Sequence, residues 1–146
     1  MPRDDLDRQL IALLQANARD STANLARKLG VARTTVLARL ARLEREAVIV
    51  GYTARLGQHE ADRCVQAYVG ITVSPKTARD VTRRLAGLPE LRQLCSVSGE
   101  FDDIALLRAD STARLDALLD QIGEIDGVVK TTTSVVLALR VDRTDA

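Results

Sequence analysis

Arg33, Thr34 and Thr35, followed at helical steps by Ala38 and Arg42, gather guanidinium and hydroxyl donors on one short stretch. Donors of these kinds hold phosphate oxygens and reach base edges, so the stretch is a candidate surface for nucleic-acid contact. Ser21, Thr22, Arg27 and Lys28 lie just upstream and add phosphate candidates, although a solvated charged face is an equally ordinary reading for Arg27 and Lys28. At about 100° per residue, turning Val36, Leu40 and Leu43 toward a core points Thr34, Ala38, Ala41 and Arg45 away from it, with Thr35, Leu37 and Arg42 on the flanks. Arg39 falls only about 60° from that apolar stripe. An ion pair with an acidic residue of the first helix is as good an expectation for Arg39 as a phosphate contact.

The elements that must position these side chains are two short helices between Asp20 and Glu46, separated by a turn at Gly30. Asp20 or Ser21 can cap the first, which turns Leu25, Ala26 and Leu29 inward, and a glycine just past the last periodic residue suits a left-handed turn. Upstream, Asp4, Asp5 and Asp7 crowd the start of another helix, whose Leu6, Leu10, Leu13 and Leu14 recur at helical spacing. Packed together these make a three-helix unit to about Ala47, a helix-turn-helix whose second helix fits the major groove of duplex DNA. Net charge over the chain is +1, but it is unevenly spread. Residues 1–50 carry nine Lys or Arg against six Asp or Glu, residues 51–146 carry twelve against fourteen, and Arg19 to Arg45 carries seven against two. A bland helical hairpin is the competing reading. The spacing of Ala26, Gly30, Val36 and Leu40 and the local excess of positive charge favour DNA.

The expected organisation is a helix-turn-helix unit over residues 1–50, a strand and linker over 51–62, and a second domain over 63–146. Val48 to Leu56 has strand composition, and Gly57 to Asp62 is polar and unpatterned. Beyond it, Val65, Ala67, Val69, Ile71 and Val73 alternate as a strand, and Pro75 opens a helix with Ala78, Val81 and Leu85 inward. Leu91 to Val97 and Asp103 to Arg108 read as strands, Ser111 caps a helix bearing Leu115, Leu118, Leu119 and Ile122, and Val128 to Val141 reads as a long final strand. The order β-α-β-β-α-β predicts an α+β chain ending in a ferredoxin-like antiparallel sheet with both helices on one face. The other face would then carry Gln66, Tyr68, Gly70, Thr72, Leu94, Ile104, Leu106, Val136 and Ala138, too apolar for water, which predicts a homodimer. Cys64 and Cys95 form no C-x-x-C pattern and read as buried free thiols.

Taken in order, Asp4, Asp7, Leu10-Ile11, Leu14-Gln15, Arg19, Leu25-Ala26, Leu29-Gly30-Val31, Thr35-Val36, Arg39-Leu40, Arg42-Leu43-Glu44, Val48-Ile49 and Gly51-Tyr52 resemble the N-terminal signature of the Lrp/AsnC family of transcription regulators, also called feast/famine regulatory proteins. Ala67-Tyr68-Val69, Ser98-Gly99-Glu100-Phe101-Asp102 and Gly127-Val128-Val129 through Thr131-Thr132-Thr133 resemble its ligand-binding domain. The resemblance implies a dimer, often assembled into octamers, that binds promoter DNA and responds to an amino acid or similar small metabolite. It puts the effector near Ser98, Gly99, Glu100, Phe101, Asp102 and Asp103 and the strand start at Thr131, Thr132 and Thr133. Gly99 would expose amides for a carboxylate, and Glu100, Asp102 or Asp103 would accept from an ammonium group. The alternative there is a tight turn with solvated acids. Two residues depart from the family pattern. Ala32 replaces a usual serine, removing a side-chain cap from the recognition helix, and Ala47 replaces a usual glycine, so that the helix is free to run on into the strand.

Enzymes are disfavoured, although siroheme decarboxylases resemble the same two-domain family. His59, the only histidine, lies in the linker, and no cluster offers a metal site or a nucleophile with its base. No cofactor is expected. One Phe and two Tyr supply little stacking surface for single-stranded RNA. No apolar run is long enough to span a membrane, so the cytoplasm is the expected compartment. An architectural protein that coats DNA with little sequence preference remains the main alternative function.

Overall fold

A computed structural model describes residues 4–55, 57 and 63–141, which divide after Arg55 into two compact units. Of the expected linker at 57–62 only Gly57 is described; His59 lies outside these residues.

The first unit holds α1 (Asp5–Ala16), α2 (Thr22–Leu29) and α3 (Arg33–Arg45). Asp4 caps α1 by accepting from the amide of Asp7 at 2.9 Å, and Ser21 caps α2 by accepting from that of Asn24 at 3.1 Å. Gly30 takes φ +67°, which turns the chain sharply between α2 and α3. Ala32 precedes α3 with no side-chain cap, and α3 nevertheless begins at Arg33. Leu10, Leu14, Leu25, Ala26, Val36 and Leu43 form the core. Burying a leucine of this kind contributes about 1.5–3 kcal/mol.

The C-terminal end of α3 closes as a Schellman motif. The amide of Val48 donates to the carbonyl of Leu43 at 2.9 Å and that of Ala47 to Glu44 at 3.1 Å. This geometry forces Ala47 to φ +52°, the one positive φ found outside glycine among the described residues. The helix therefore does not run on. Nor do residues 48–55 form the expected strand: Val48 and Ile49 turn back onto the helical core, and no strand of this unit lies beside them among the described residues.

The second unit holds β1 (Val65–Val73), α4 (Ala78–Ala86), β2 (Leu91–Ser96), β3 (Asp103–Ala109), α5 (Thr112–Gly123) and β4 (Val128–Val135). The sheet is antiparallel in the order β2-β3-β1-β4, the ferredoxin-like arrangement. Ala67, Val69, Ile71, Ala105 and Leu107 on the sheet pack against Val81 and Leu85 of α4 and Leu115, Leu118 and Ile122 of α5. Both helices thus cover one face.

Three expectations about this sheet are corrected. The final strand ends at Val135 rather than Val141: Ala67 pairs with Val135, the amide of Val136 reaches the carbonyl of Gln66, and no further β1–β4 pair follows among the described residues. A register shift between Leu91 and Gln93 sets Leu94 opposite Ala105 and packs it into the core, not on the outer face. The same shift sets Cys95 opposite Ile104, exposed on that outer face rather than buried. Cys64 is half-buried.

Replacing Ala47 by glycine removes the cost of a side chain in the left-handed region. Ala47→Gly is expected to stabilise the helical unit by about 0.5–1 kcal/mol, read as a higher urea midpoint at unchanged slope.

Candidate nucleic-acid interface

Gly30 and the left-handed Ala47 bracket α3 and fix which side of it leaves the core. Arg33, Thr34, Leu37, Ala38, Ala41 and Arg45 are exposed on that side, while Thr35 is half-buried. Upstream, the Ser21 hydroxyl is engaged in capping and Thr22 is the half-buried first residue of α2. Arg27 donates to Asn24 Oδ1 at 3.2 Å, and Lys28 Nζ sits 2.5 Å from Asp20 Oδ2. Lysine donation holds the Asp20 carboxyl below its ordinary 3.8. Of the nominated cations, Arg33 alone has no side-chain partner among the described residues.

Arg39 and Arg42 point inward to α1. Arg39 Nη1 contacts both carboxylate oxygens of Asp4 at 2.6 Å and Asp7 Oδ1 at 2.9 Å. Arg42 Nη2 donates to Asp7 Oδ2. Asp7 is only 2% exposed and thus bridges two guanidiniums while buried between the helices. The ion-pair expectation for Arg39 holds. For Arg42 the structure requires a revision: its guanidinium is tied to Asp7 and is not a free cation, because the stripe that faces α1 extends one flank further than the helical wheel shows. Removing one partner of a buried pair of this kind typically costs about 3–5 kcal/mol. Tyr52 Oη donates to Glu44 Oε1 at 2.7 Å, which ties the segment after α3 back to that helix.

In the second unit, Asp102 is a structural hub. Its Oδ2 accepts from the amide of Val73 at 2.9 Å, at the irregularity between Thr72 and Val73, and its own amide donates to Ile71 at 3.0 Å. Ser98, Gly99 and Glu100 are exposed, with Gly99 at φ +114°. Phe101 folds over the outer face: its ring lies 2.6–2.7 Å from where a Cβ on Gly70 would stand, so only glycine fits beneath it. Thr132 pairs with Gly70 on that face, whereas Thr131 and Thr133 point to the helix side. A cleft of about 560 Å³ opens between α4 and the edge strand β2. Arg79 and Thr82 contribute from α4, Asp102 and Asp103 from the β2–β3 turn, and Val73, Pro75, Leu94 and Val97 supply apolar surface. Burial, and then the charge of Asp102, push the Asp103 carboxyl up, against a hydrogen bond from Ser96. The cleft takes in Asp102 and Asp103 but none of Ser98 to Phe101 and none of the three threonines. Sequence reading missed Arg79, whose exposed position on an amphipathic helix gives no signal. No group of three or more potential metal ligands occurs among the described residues, and no helix among them is long and apolar enough to cross a membrane.

Such a pairing of units occurs in HTH-type transcriptional regulators, and comparison with known proteins places the chain among them. Residues 4–44 match the AsnC-type helix-turn-helix domain and residues 66–145 the Lrp/AsnC ligand binding domain. The chain belongs to the Lrp/AsnC family. An uncharacterized HTH-type transcriptional regulator of Pyrococcus furiosus is 32% identical over 139 residues, 95% of this chain and 94% of that protein. The structure of E. coli AsnC matches with a TM-score of 0.88 at 26% identity, over 99% of this chain and 98% of that one. A feast or famine regulatory protein from M. tuberculosis, complexed with L-methionine, matches with a TM-score of 0.86 at 31% identity, over 97% and 96% of the two chains.

Donation from Arg39, then from the amide of Asp7, holds the Asp4 carboxyl below its ordinary 3.8. A carboxyl depressed in the folded state stabilises the fold above its unfolded value, and that contribution is lost as pH falls through the lowered one. Wild type is therefore expected to resist urea better than Asp4→Asn at neutral pH. The gap between their midpoints should close on acidification below 3.8.

Proposed function

We propose that this regulator binds promoter DNA sequence-specifically, acts as a homodimer able to assemble into octamers, works in the cytoplasm and responds to an amino acid or similar small metabolite. The observation that carries the DNA reading is the one-sided presentation of α3, with Arg33 and Thr34 exposed at its leading end and Thr35 beside them. Ser21, Thr22, Arg27, Lys28 and Ala38 are assigned as further contacts to the duplex. Arg42 takes a supporting role through Asp7. Dimerisation is supported by the outer sheet face, where Tyr68 is 49% exposed beside the half-buried Leu106.

The effector reading rests on the turn Ser98 to Asp103 and the cleft it borders. Arg79 suits a carboxylate, Asp103 an ammonium group, and Leu94 and Val97 an apolar side chain. The L-methionine complex of the M. tuberculosis relative supports the same ligand class. Thr131, Thr132 and Thr133 are assigned to an effector surface completed by neighbouring subunits.

Titration against the promoter upstream of the protein's own gene and against random duplex, at several salt concentrations, tests the DNA reading. Specific binding is expected to be about 10³-fold tighter or better, and equal affinity at every salt would leave only an architectural coat. Thr34→Ala combined with Thr35→Ala should weaken specific binding more than non-specific binding.

For the effector, a saturating amino acid at about a hundredfold over its Kd should stabilise the protein by about 2.7 kcal/mol in a thermal-shift panel. Arg79→Ala should abolish that shift. A flat response of the wild type to all common amino acids counts against this ligand class.

A further inference from the structure

Leu37 is 49% exposed on the recognition helix, an apolar side chain on a surface meant for a polyanion. It is not isolated. Thr34, Leu37, Ala38 and Ala41 are all exposed and stand three or four residues apart, so they form one contiguous patch of methyl and methylene groups. Leu37, Ala38 and Ala41 cannot donate or accept a hydrogen bond, and the middle of the patch therefore cannot read base edges by polar pairing. What an apolar side chain can meet in the major groove is the C5 methyl of thymine, the one apolar group that base pairs present there.

Charge around the patch selects the occupant. The carboxylates of Asp4 and Asp7 neutralise Arg39 and Arg42 on the inner flank of α3. Arg33 and Arg45, at the two ends of the exposed face, have no ion-pair partner among the described residues. An apolar strip between unopposed cations complements a groove whose floor carries methyl groups and whose rims carry phosphates. It complements an apolar protein partner less well.

We infer that Leu37, with Ala38 and Ala41, sets sequence preference by packing on thymine methyl groups in the central part of each half-site, while Arg33 and Thr34 supply the polar readout at one end. This rests on α3 entering the major groove. Burying one methyl-sized group corresponds to about fourfold in affinity.

The test selects duplexes from a random library with the full-length protein, then replaces single thymines by deoxyuridine, which removes only the C5 methyl. One or two thymines per half-site are expected to show a loss of about fourfold for the wild type. Leu37→Ala should bind the thymine duplex more weakly by a similar factor and lose its sensitivity to deoxyuridine at those positions. The substitution leaves the core intact because Leu37 lies outside it, and the deoxyuridine series on the wild type stands independently of any variant.

The inference is overturned if selected duplexes bind but no deoxyuridine matters, or if Leu37→Ala retains the full deoxyuridine effect. Failure to enrich any duplex, with no binding even at low salt, overturns the groove-binding reading as well. That outcome is distinguishable from a tight complex indifferent to methyl groups.

Discussion

The buried carboxylate of Asp7 is the interaction on which the DNA-facing unit depends. A three-helix unit of this size has a small apolar core, here six buried side chains, to which α1 contributes Leu10 and Leu14 with Ile11 and Leu13 packed against it. Apolar packing alone is non-directional and tolerates sliding and rotation of one helix on another. Two guanidiniums converging on one buried carboxylate do not, because each hydrogen bond has a preferred direction and an unpaired buried charge is costly. Asp7 thereby fixes the rotation of α3 about its own axis. The same rotation decides which residues face outward, so a structural ion pair on one side of the helix sets the exposed surface on the other.

This arrangement also divides the positive charge of the helix-turn-helix into two populations. Arg39, Arg42 and Lys28 are held by carboxylates of the same unit, whereas Arg33 and Arg45, at the two ends of the outward face, have no such partner among the described residues. A count of basic residues treats them alike. Electrostatic attraction to a polyanion is set by the unopposed charges, and their position at the ends of the outward face gives the surface a polarity that net charge does not express.

In the second unit the equivalent decisions are made by backbone irregularities. The register shift near Arg92 rotates the remainder of β2 by one residue, which carries Leu94 inward and Cys95 outward. The irregularity between Thr72 and Val73 accompanies an amide that Asp102 accepts from, so the β2–β3 turn is anchored to the end of β1. Gly70 then admits the ring of Phe101 onto the outer face. The turn is thus held at both shoulders while Ser98, Gly99 and Glu100 between them stay exposed. An anchored turn beside a cleft keeps its place because the rigid parts define its position.

Local chemistry was readable directly from the residues. The apolar stripes of the helices, the caps at Ser21 and Ser111, the turn at Gly30, the alternation along β1 and the order of elements all follow from spacings within a few residues, which is the range over which helical and strand periodicity act. What only tertiary structure decided lies at longer range. The partner of Arg42 sits thirty-five residues away on another helix, and a helical wheel measures angles on one helix only. The register of β2 depends on β3, the end of β4 depends on its pairing with β1, and the segment after α3 had strand composition but pairs with no strand among the described residues. At Ala47 the demand of the Schellman hydrogen bonds overrode the reluctance of an alanine to turn left-handed. Residue type sets local preference, and pairing across the fold sets which preference is satisfied.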